Sequence, residues 1–221
     1  MTWDPVWEEV FQSQAWGKYP SEDLIRFVAR NFYDAADRSQ INLLEAGCGP
    51  GANLWFLTRE GFQAHGVDGS QTAINLAHSR LDRECPGWQG KLHRGDIRRL
   101  PYPDMTFDGA IDVECIYSNP FDASREIYQE LARVTKAGGK LFSRTFARDS
   151  WGDGTGVSAG HHAWFCSHGP LAGKGFSRFT SLDEISDLVS GWQVRSIEMI
   201  THTRENRLHT VREFVIEAEK A

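Results

Sequence analysis

Three closely spaced glycines form the most informative pattern in this chain. Residues 45–53 read EAGCGPGAN, so Gly47, Gly49 and Gly51 follow a short apolar run and precede a predicted helix. Glycine has no Cβ, and a loop of this kind lets a ligand approach the backbone closely. The helix behind the loop offers free N–H groups at its N-terminus. Open α/β sheets usually bind their ligands at such a strand-to-helix junction, so the pattern predicts a ligand-binding loop.

Asp68 adds a carboxylate at the end of the predicted second strand. A carboxylate can accept two hydrogen bonds from the neighbouring hydroxyls of a ribose. The glycine loop also fits the dinucleotide fingerprint G-x-G-x-x-A over Gly47–Ala52. Loop and carboxylate together indicate a nucleoside ligand without choosing among nucleosides, and a purely structural turn is the alternative.

Two further acids narrow the choice of ligand. Glu45 stands directly before the glycines, where its charge would repel a phosphate and attract an ammonium group. Asp96, in the segment Gly95-Asp96-Ile97, ends the predicted third strand and is placed to accept a hydrogen bond from an adenine amino group. The acids favour a nucleoside that carries a cationic tail.

In this order, the motifs resemble those of the class I S-adenosylmethionine-dependent methyltransferases. The matching segments are Leu44–Gly51, Val67–Ser70, Gly95–Ile97, Phe107–Asp112 and Glu130–Gly139. Ala137 departs from the pattern, since proline is commoner there. The resemblance covers residues 41–146 firmly and the final strands loosely. It implies S-adenosylmethionine as methyl donor, S-adenosylhomocysteine as product, and a doubly wound, mostly parallel seven-stranded sheet whose last strand is antiparallel.

The resemblance also implies roles for individual residues. The glycines allow backbone approach, Asp68 binds the ribose, Asp96 and Ile97 bind the adenine, and Asp112 lies near the methionine end. Tyr19 belongs to the segment 16–20, whose aromatic rings are expected to cover the sulfonium or simply to pack on the sheet. The full set of expected cofactor-binding residues is Glu45, Gly47, Cys48, Gly49, Gly51, Asp68, Gly69, Ser70, Asp96, Ile97, Asp112 and Tyr19.

Methyl transfer to an oxygen often requires a base that removes the acceptor's proton. Histidine titrates near neutrality, so His161 and His162 are candidate bases, and Tyr117 is a candidate for contact with the acceptor. The alternatives are ordinary surface histidines and a structural tyrosine. A zinc site formed by the histidines and Cys166 has unsuitable spacing, so no metal is expected.

Strands that alternate with helices must position these residues and predict parallel pairing through right-handed crossovers. The predicted strands are 41–46, 63–67, 91–93, 107–113, 140–146, 192–200 and 210–218, with helices at 52–60, 70–83 and 122–136. We expect one three-layer α/β/α domain over 1–221. Its parts are a helical cover (1–38), a donor-binding core (41–146), an acceptor-side loop (147–180), and a final helix with a strand hairpin (181–221).

Composition limits the possible partners. The 221 residues carry a net charge of −6, which disfavours a nucleic-acid substrate because nucleic-acid binders usually present a basic face. Four scattered cysteines and the lack of a signal-peptide pattern or long apolar run lead us to expect a cytoplasmic protein. We expect a monomer or homodimer. A compact chain with no appended basic or repeat domain favours methyl transfer to an oxygen or nitrogen of a small molecule. A nicotinamide-dependent oxidoreductase and a non-catalytic S-adenosylmethionine-binding protein are the alternatives.

Overall fold

A seven-stranded β-sheet forms the centre of the computed structural model, which describes residues 3–221. Its strands in chain order are β1 (Asn42–Ala46), β2 (Gln63–Asp68), β3 (Leu92–Arg94), β4 (Phe107–Val113), β5 (Thr135–Phe146), β9 (Trp192–Arg204) and β10 (His209–Lys220). A separate small sheet contains β6 (Val157–Gly160), β7 (Ala163–Phe165) and β8 (Phe176–Arg178). The helices are α1 (Val6–Ser13), α2 (Glu22–Phe32), α3 (Ala52–Arg59), α4 (Gln71–Glu84), α5 (Phe121–Val134) and α6 (Ile185–Leu188).

The strand order of the large sheet is β3-β2-β1-β4-β5-β10-β9. The first five of these strands pair in parallel, whereas β10 pairs antiparallel with both β5 and β9. The expectation of a doubly wound, mostly parallel sheet whose last strand is antiparallel is therefore confirmed. The chain order changes direction at β1 and β4, which is where an open α/β sheet binds its ligands.

Neighbouring residues of the central strands bury their side chains on opposite faces of the sheet. Leu43 joins a core cluster with side chains of α2, α3 and α4, whereas Leu44 joins a second cluster with side chains of α5 and α6. This alternation produces the three layers predicted from the sequence. No helix within residues 3–221 has the length and apolar character required to cross a membrane.

The observed elements depart from the prediction in three places. Helix α5 ends at Val134 and not at Gly138-Gly139, because Thr135 already pairs with Phe107 and begins β5. Residues 147–180 are not one long loop, since they contain the three short strands of the small sheet. The final hairpin is longer than predicted, with its turn at three left-handed residues, Glu205 to Arg207.

Candidate active site

A cavity of about 360 Å³ lies where the parallel strands end. This volume is within the range of small-molecule sites. Its wall combines the glycine loop after β1, the ends of β2, β3 and β4, and the N-terminal segment. The residues that line it include Trp3, Asp4, Trp7, Phe11, Trp16, Tyr19, Glu45, Gly47, Cys48, Gly49, Asn53, Asp68, Gly69, Asp96, Ile97, Glu114, Ser118, Asn119 and Arg144.

Asp68 holds the glycine loop in place. Its Oδ2 accepts a hydrogen bond from the Gly49 N–H (2.9 Å), and its Oδ1 accepts one from the Ser70 N–H (2.8 Å). Gly47 adopts φ +69°, and a Cβ at this position would lie 2.0 Å from Cys115 Sγ. The loop therefore requires glycine for its own packing, and the Asp68 carboxylate both shapes the loop and faces the cavity.

Glu45 is a buried carboxyl group with one unsatisfied oxygen. The side chain is 2% exposed, and Oε1 accepts a hydrogen bond from Asn53 Nδ2 at 2.6 Å. Within the described chain, Oε2 is buried without a hydrogen-bond partner. Burial raises the pKa of Glu45 to about 8, and the nearby negative charges of Asp68 and Asp112 contribute. A cation next to Oε2 would satisfy this oxygen and stabilise the ionised carboxylate.

Acidic groups dominate the cavity wall. Five of the lining side chains are carboxylic acids, and Arg144 is the one lysine or arginine among the lining residues that the structure describes; the acids are Asp4, Glu45, Asp68, Asp96 and Glu114. A wall of this kind attracts cations and repels phosphate groups. The site therefore fits the cationic ammonium and sulfonium groups of S-adenosylmethionine.

Most of the predicted cofactor-binding residues meet at this cavity, and three do not. Gly51, Ser70 and Asp112 are not among the lining residues described for it. Gly51, at φ +81°, begins α3 and packs against Ala77, so a Cβ would lie 3.1 Å from the Ala77 Cβ. Ser70 caps α4, since its Oγ accepts a hydrogen bond from the Ala73 N–H at 3.0 Å. Both residues shape the site from behind.

Asp112 is fully buried and supports the turn after β4. Its Oδ1 accepts the N–H groups of Cys115 and Ile116 at 3.1 and 3.0 Å. Its Oδ2 accepts the hydroxyl groups of Ser143 (2.7 Å) and Tyr128 (3.2 Å). Because these four partners use both oxygens inside the protein, Asp112 shapes the turn beside the site, and its place near the methionine end stays a prediction.

The three expected catalytic residues also lie away from the lining that the structure describes. Tyr117 is 2% exposed and packs edge-on against Phe146 at 5.0 Å between ring centroids. His161 Nε2 lies 3.0 Å from Glu184 Oε2, and His162 Nδ1 lies 3.3 Å from the same oxygen. These contacts give the three side chains structural partners, and their roles as base or acceptor contact stay predictions.

Aromatic side chains of the N-terminal segment close the cavity. Trp7, Phe11 and Trp16 pack against one another, with ring centroids 5.4–5.9 Å apart, and Trp3 contacts Gly69. We call these four side chains the aromatic cover. A cover was expected at segment 16–20, whose Trp16 and Tyr19 do line the cavity, but the three earlier rings were not predicted. Residues 1 and 2 of the expected helical cover lie outside the described residues.

Helix α1 is fixed over the cavity by a charged side chain. Glu8 accepts hydrogen bonds from Ser70 Oγ and Thr72 Oγ1, both at 2.5 Å. These bonds lower the pKa of Glu8 to about 2, so it remains ionised at neutral pH. The cover is therefore tied to the start of α4, next to Asp68.

Part of this chain is similar in sequence to known methyltransferases. Residues 43–139 match a family described as methyltransferase domain. The chain is 26% identical to norajmaline N-methyltransferase of Rauvolfia serpentina over 136 residues, which are 61% of this chain and 45% of that protein. It is 31% identical to fatty-acid O-methyltransferase of Mycolicibacterium smegmatis over 134 residues, or 58% and 46% of the two chains. The chain thus spans less than half the length of these curated relatives.

A solved structure supports the same fold. The crystal structure of a SAM-dependent methyltransferase from Methanosarcina mazei aligns with a TM-score of 0.71 at 18% identity. The alignment covers 91% of this chain and 98% of that chain. An alignment of this extent shows that the two proteins share one fold.

Proposed function

We propose that this chain is a class I S-adenosylmethionine-dependent methyltransferase that transfers a methyl group to an oxygen or nitrogen of a small molecule. The observation that carries the proposal is the unpartnered Oε2 of Glu45 beside the glycine loop. A buried carboxyl oxygen without a partner is unfavourable, and an ammonium group supplies what it lacks. S-adenosylmethionine carries such a group at one end.

The residues of the cavity suit the remaining parts of the methyl donor. Glu45 would bind the ammonium group, with Asn53 fixing the orientation of its carboxylate. Asp68 would accept hydrogen bonds from the ribose hydroxyls, and Asp96 with Ile97 would contact the adenine. When bound, S-adenosylmethionine would supply a methyl group activated by its attachment to a positively charged sulfur.

The chain itself contributes position and shielding. The acceptor atom must lie in line with the S–CH₃ bond, and such positioning can lower a barrier by about 7–11 kcal/mol. The aromatic cover limits the entry of water from the N-terminal side. Because the cover encloses the cavity on this side, the proposal favours a small acceptor over a polymer.

The acidic wall argues against a nicotinamide dinucleotide. Its pyrophosphate would lie beside Asp68, where like charges repel, and it offers no cation to ionise Glu45. A non-catalytic protein that binds S-adenosylmethionine would share the same cavity, so turnover is the property that separates the two functions.

The test is formation of S-adenosylhomocysteine with a panel of small hydroxyl and amine compounds. We expect turnover with at least one compound class, reduced in Glu45→Gln and unchanged in Glu198→Gln, which alters an exposed glutamate of β9. Binding of S-adenosylmethionine with no product from any acceptor would support the non-catalytic function. Absence of binding would refute the proposal altogether.

A further inference from the structure

Glu114 lines the cavity at the end of β4 and has an uncommon backbone conformation. It follows β4 directly and adopts φ 55°, a left-handed conformation that is uncommon for residues other than glycine. Its N–H donates to the Arg144 carbonyl oxygen at 2.9 Å, which continues the β4–β5 pairing. The side chain is 36% exposed and lines the cavity. The strained backbone thus turns a carboxylate toward the ligand space.

The charges around Glu114 do not balance. Arg144 forms two hydrogen bonds with Glu213, through Nε to Oε1 at 3.1 Å and through Nη2 to Oε2. Glu213 is 2% exposed, so this pair is buried. Glu114 Oε1 lies farther from Arg144 Nε, at 3.4 Å. One arginine therefore faces two carboxylates and is already engaged by the buried one.

Either a proton or a ligand cation can supply the missing positive charge. Partial burial, the negative charge of Glu213 and a hydrogen bond with the Glu213 side chain raise the pKa of Glu114 above its ordinary value, while Arg144 acts in the opposite direction. Tyr117 also faces this group, and its own pKa is raised by burial and by the Glu114 charge. In the absence of a bound ligand cation, these surroundings favour the protonated form of Glu114.

We propose that Glu114 binds the methyl acceptor through an ammonium group, so that the acceptors of this enzyme are amines. The inference rests on the proposed function, because it assigns the acceptor for the same cavity. An ammonium group balances the charges with Glu114 ionised, whereas a hydroxyl ligand leaves Glu114 dependent on its proton and a carboxylate ligand adds a further negative charge. The rings of Trp7, Phe11 and Trp16 supply an apolar and cation-attracting surface in the same cavity.

The same contact can prepare the acceptor nitrogen for reaction. An ammonium nitrogen has no free electron pair, so one N–H proton must leave first. That proton passes to a Glu114 carboxylate oxygen, which leaves a neutral amine with its lone pair and a protonated Glu114. A carboxyl group of raised proton affinity is a better acceptor for this proton than an ordinary surface glutamate.

Three probes with one skeleton test the proposal: 2-phenylethylamine, 2-phenylethanol and phenylacetate. Their binding is measured by calorimetry at pH 7 with S-adenosylhomocysteine bound. We expect the amine to bind about 10- to 100-fold more tightly than the alcohol, the range for hydrogen bonds to charged groups, and the carboxylate to bind most weakly. Amine binding should also release a proton from Glu114, which is detected by comparing buffers of different ionisation enthalpy.

Two variants separate the role of Glu114 from general damage. Glu114→Gln should lose the preference for the amine and the proton release while it retains S-adenosylhomocysteine binding, and Glu198→Gln should retain all three. Failure of the amine to bind, equal binding of the alcohol, or an unchanged preference in Glu114→Gln would overturn the proposal. If Glu114→Gln does not fold, equal or weaker binding of the amine by the unaltered chain still overturns the proposal.

The proposed function has a separate outcome in this experiment. If the unaltered chain bound no S-adenosylhomocysteine, the methyltransferase activity would be refuted. The three probes, applied alone to the unaltered chain and to Glu114→Gln, would still show whether Glu114 selects an ammonium group.

Discussion

Replacing Glu45 with glutamine should make the ligand-free protein more stable while it weakens binding of S-adenosylmethionine. Glutamine has the shape of the protonated acid, and its oxygen can keep the hydrogen bond from Asn53. The variant removes only the ability to ionise. A binding residue held in an unfavourable environment lowers the stability of the ligand-free protein and raises its affinity for the ligand. Replacing such a residue should therefore raise stability and lower affinity.

The size of the stability effect follows from the two pKa values of Glu45. The pKa is about 8 in the folded chain and 4.5 without the protein environment. Between these values the unfolded chain has lost its proton and the folded chain retains it, so stability falls as pH rises. Each pH unit in this window is worth about 1.4 kcal/mol, which gives about 3 kcal/mol at pH 7 and little below pH ~4.5. Above pH ~8 the difference stays constant.

Thermal unfolding of both proteins at pH 5, 6 and 7 measures this effect. For a chain of this size, about 3 kcal/mol corresponds to a rise in Tm of roughly 6–12 °C at pH 7, shrinking toward pH 5. Glu198→Gln, at an exposed position, should show no such trend. The free energy of S-adenosylmethionine binding should become less favourable by about 1.5–3 kcal/mol in Glu45→Gln. A Tm difference that is negative, or that does not grow with pH, would refute the reasoning.

Further substitutions test the ribose contact, the glycine loop and the two candidate histidines. Asp68→Asn should reduce affinity for S-adenosylmethionine by about 10- to 100-fold in calorimetry, because an amide oxygen replaces a carboxylate at the ribose; an unchanged affinity would contradict this contact. Gly47→Ala should lower Tm more than Gly87→Ala, since both glycines are left-handed but only at Gly47 would the added Cβ meet Cys115 Sγ, at 2.0 Å; equal losses would show that crowding is unimportant. His161→Ala with His162→Ala should keep the rate of S-adenosylhomocysteine formation, and a large loss would restore these residues as candidate bases.

Local sequence signals were sufficient for the donor side of the site. The helix predicted from residue 70 is observed as α4, capped by Ser70, because a capping serine acts on residues next to it in the chain. The run of buried residues in β1 and the glycines that follow it are equally local. These features are enough to place the glycine loop, Glu45 and Asp68 at one sheet edge.

The acceptor side depends on contacts between distant parts of the chain. The pair between Arg144 and Glu213 joins residues 69 positions apart, and the sequence contains no periodicity that links them. Glu114 lies one residue beyond β4, where the strand alternation no longer predicts direction. His161 and His162 were chosen for their chemistry alone, and the turn between β6 and β7 directs them toward Glu184.

The central claim is that the ammonium group of S-adenosylmethionine binds the buried carboxylate of Glu45. Calorimetry of S-adenosylmethionine binding at pH 7, repeated in buffers of different ionisation enthalpy, tests it directly. We predict one bound molecule per chain and release of about one proton, because the ammonium group ionises Glu45, and no such release in Glu45→Gln. Binding without proton release, or no binding of S-adenosylmethionine alongside binding of a pyridine dinucleotide, would contradict the account.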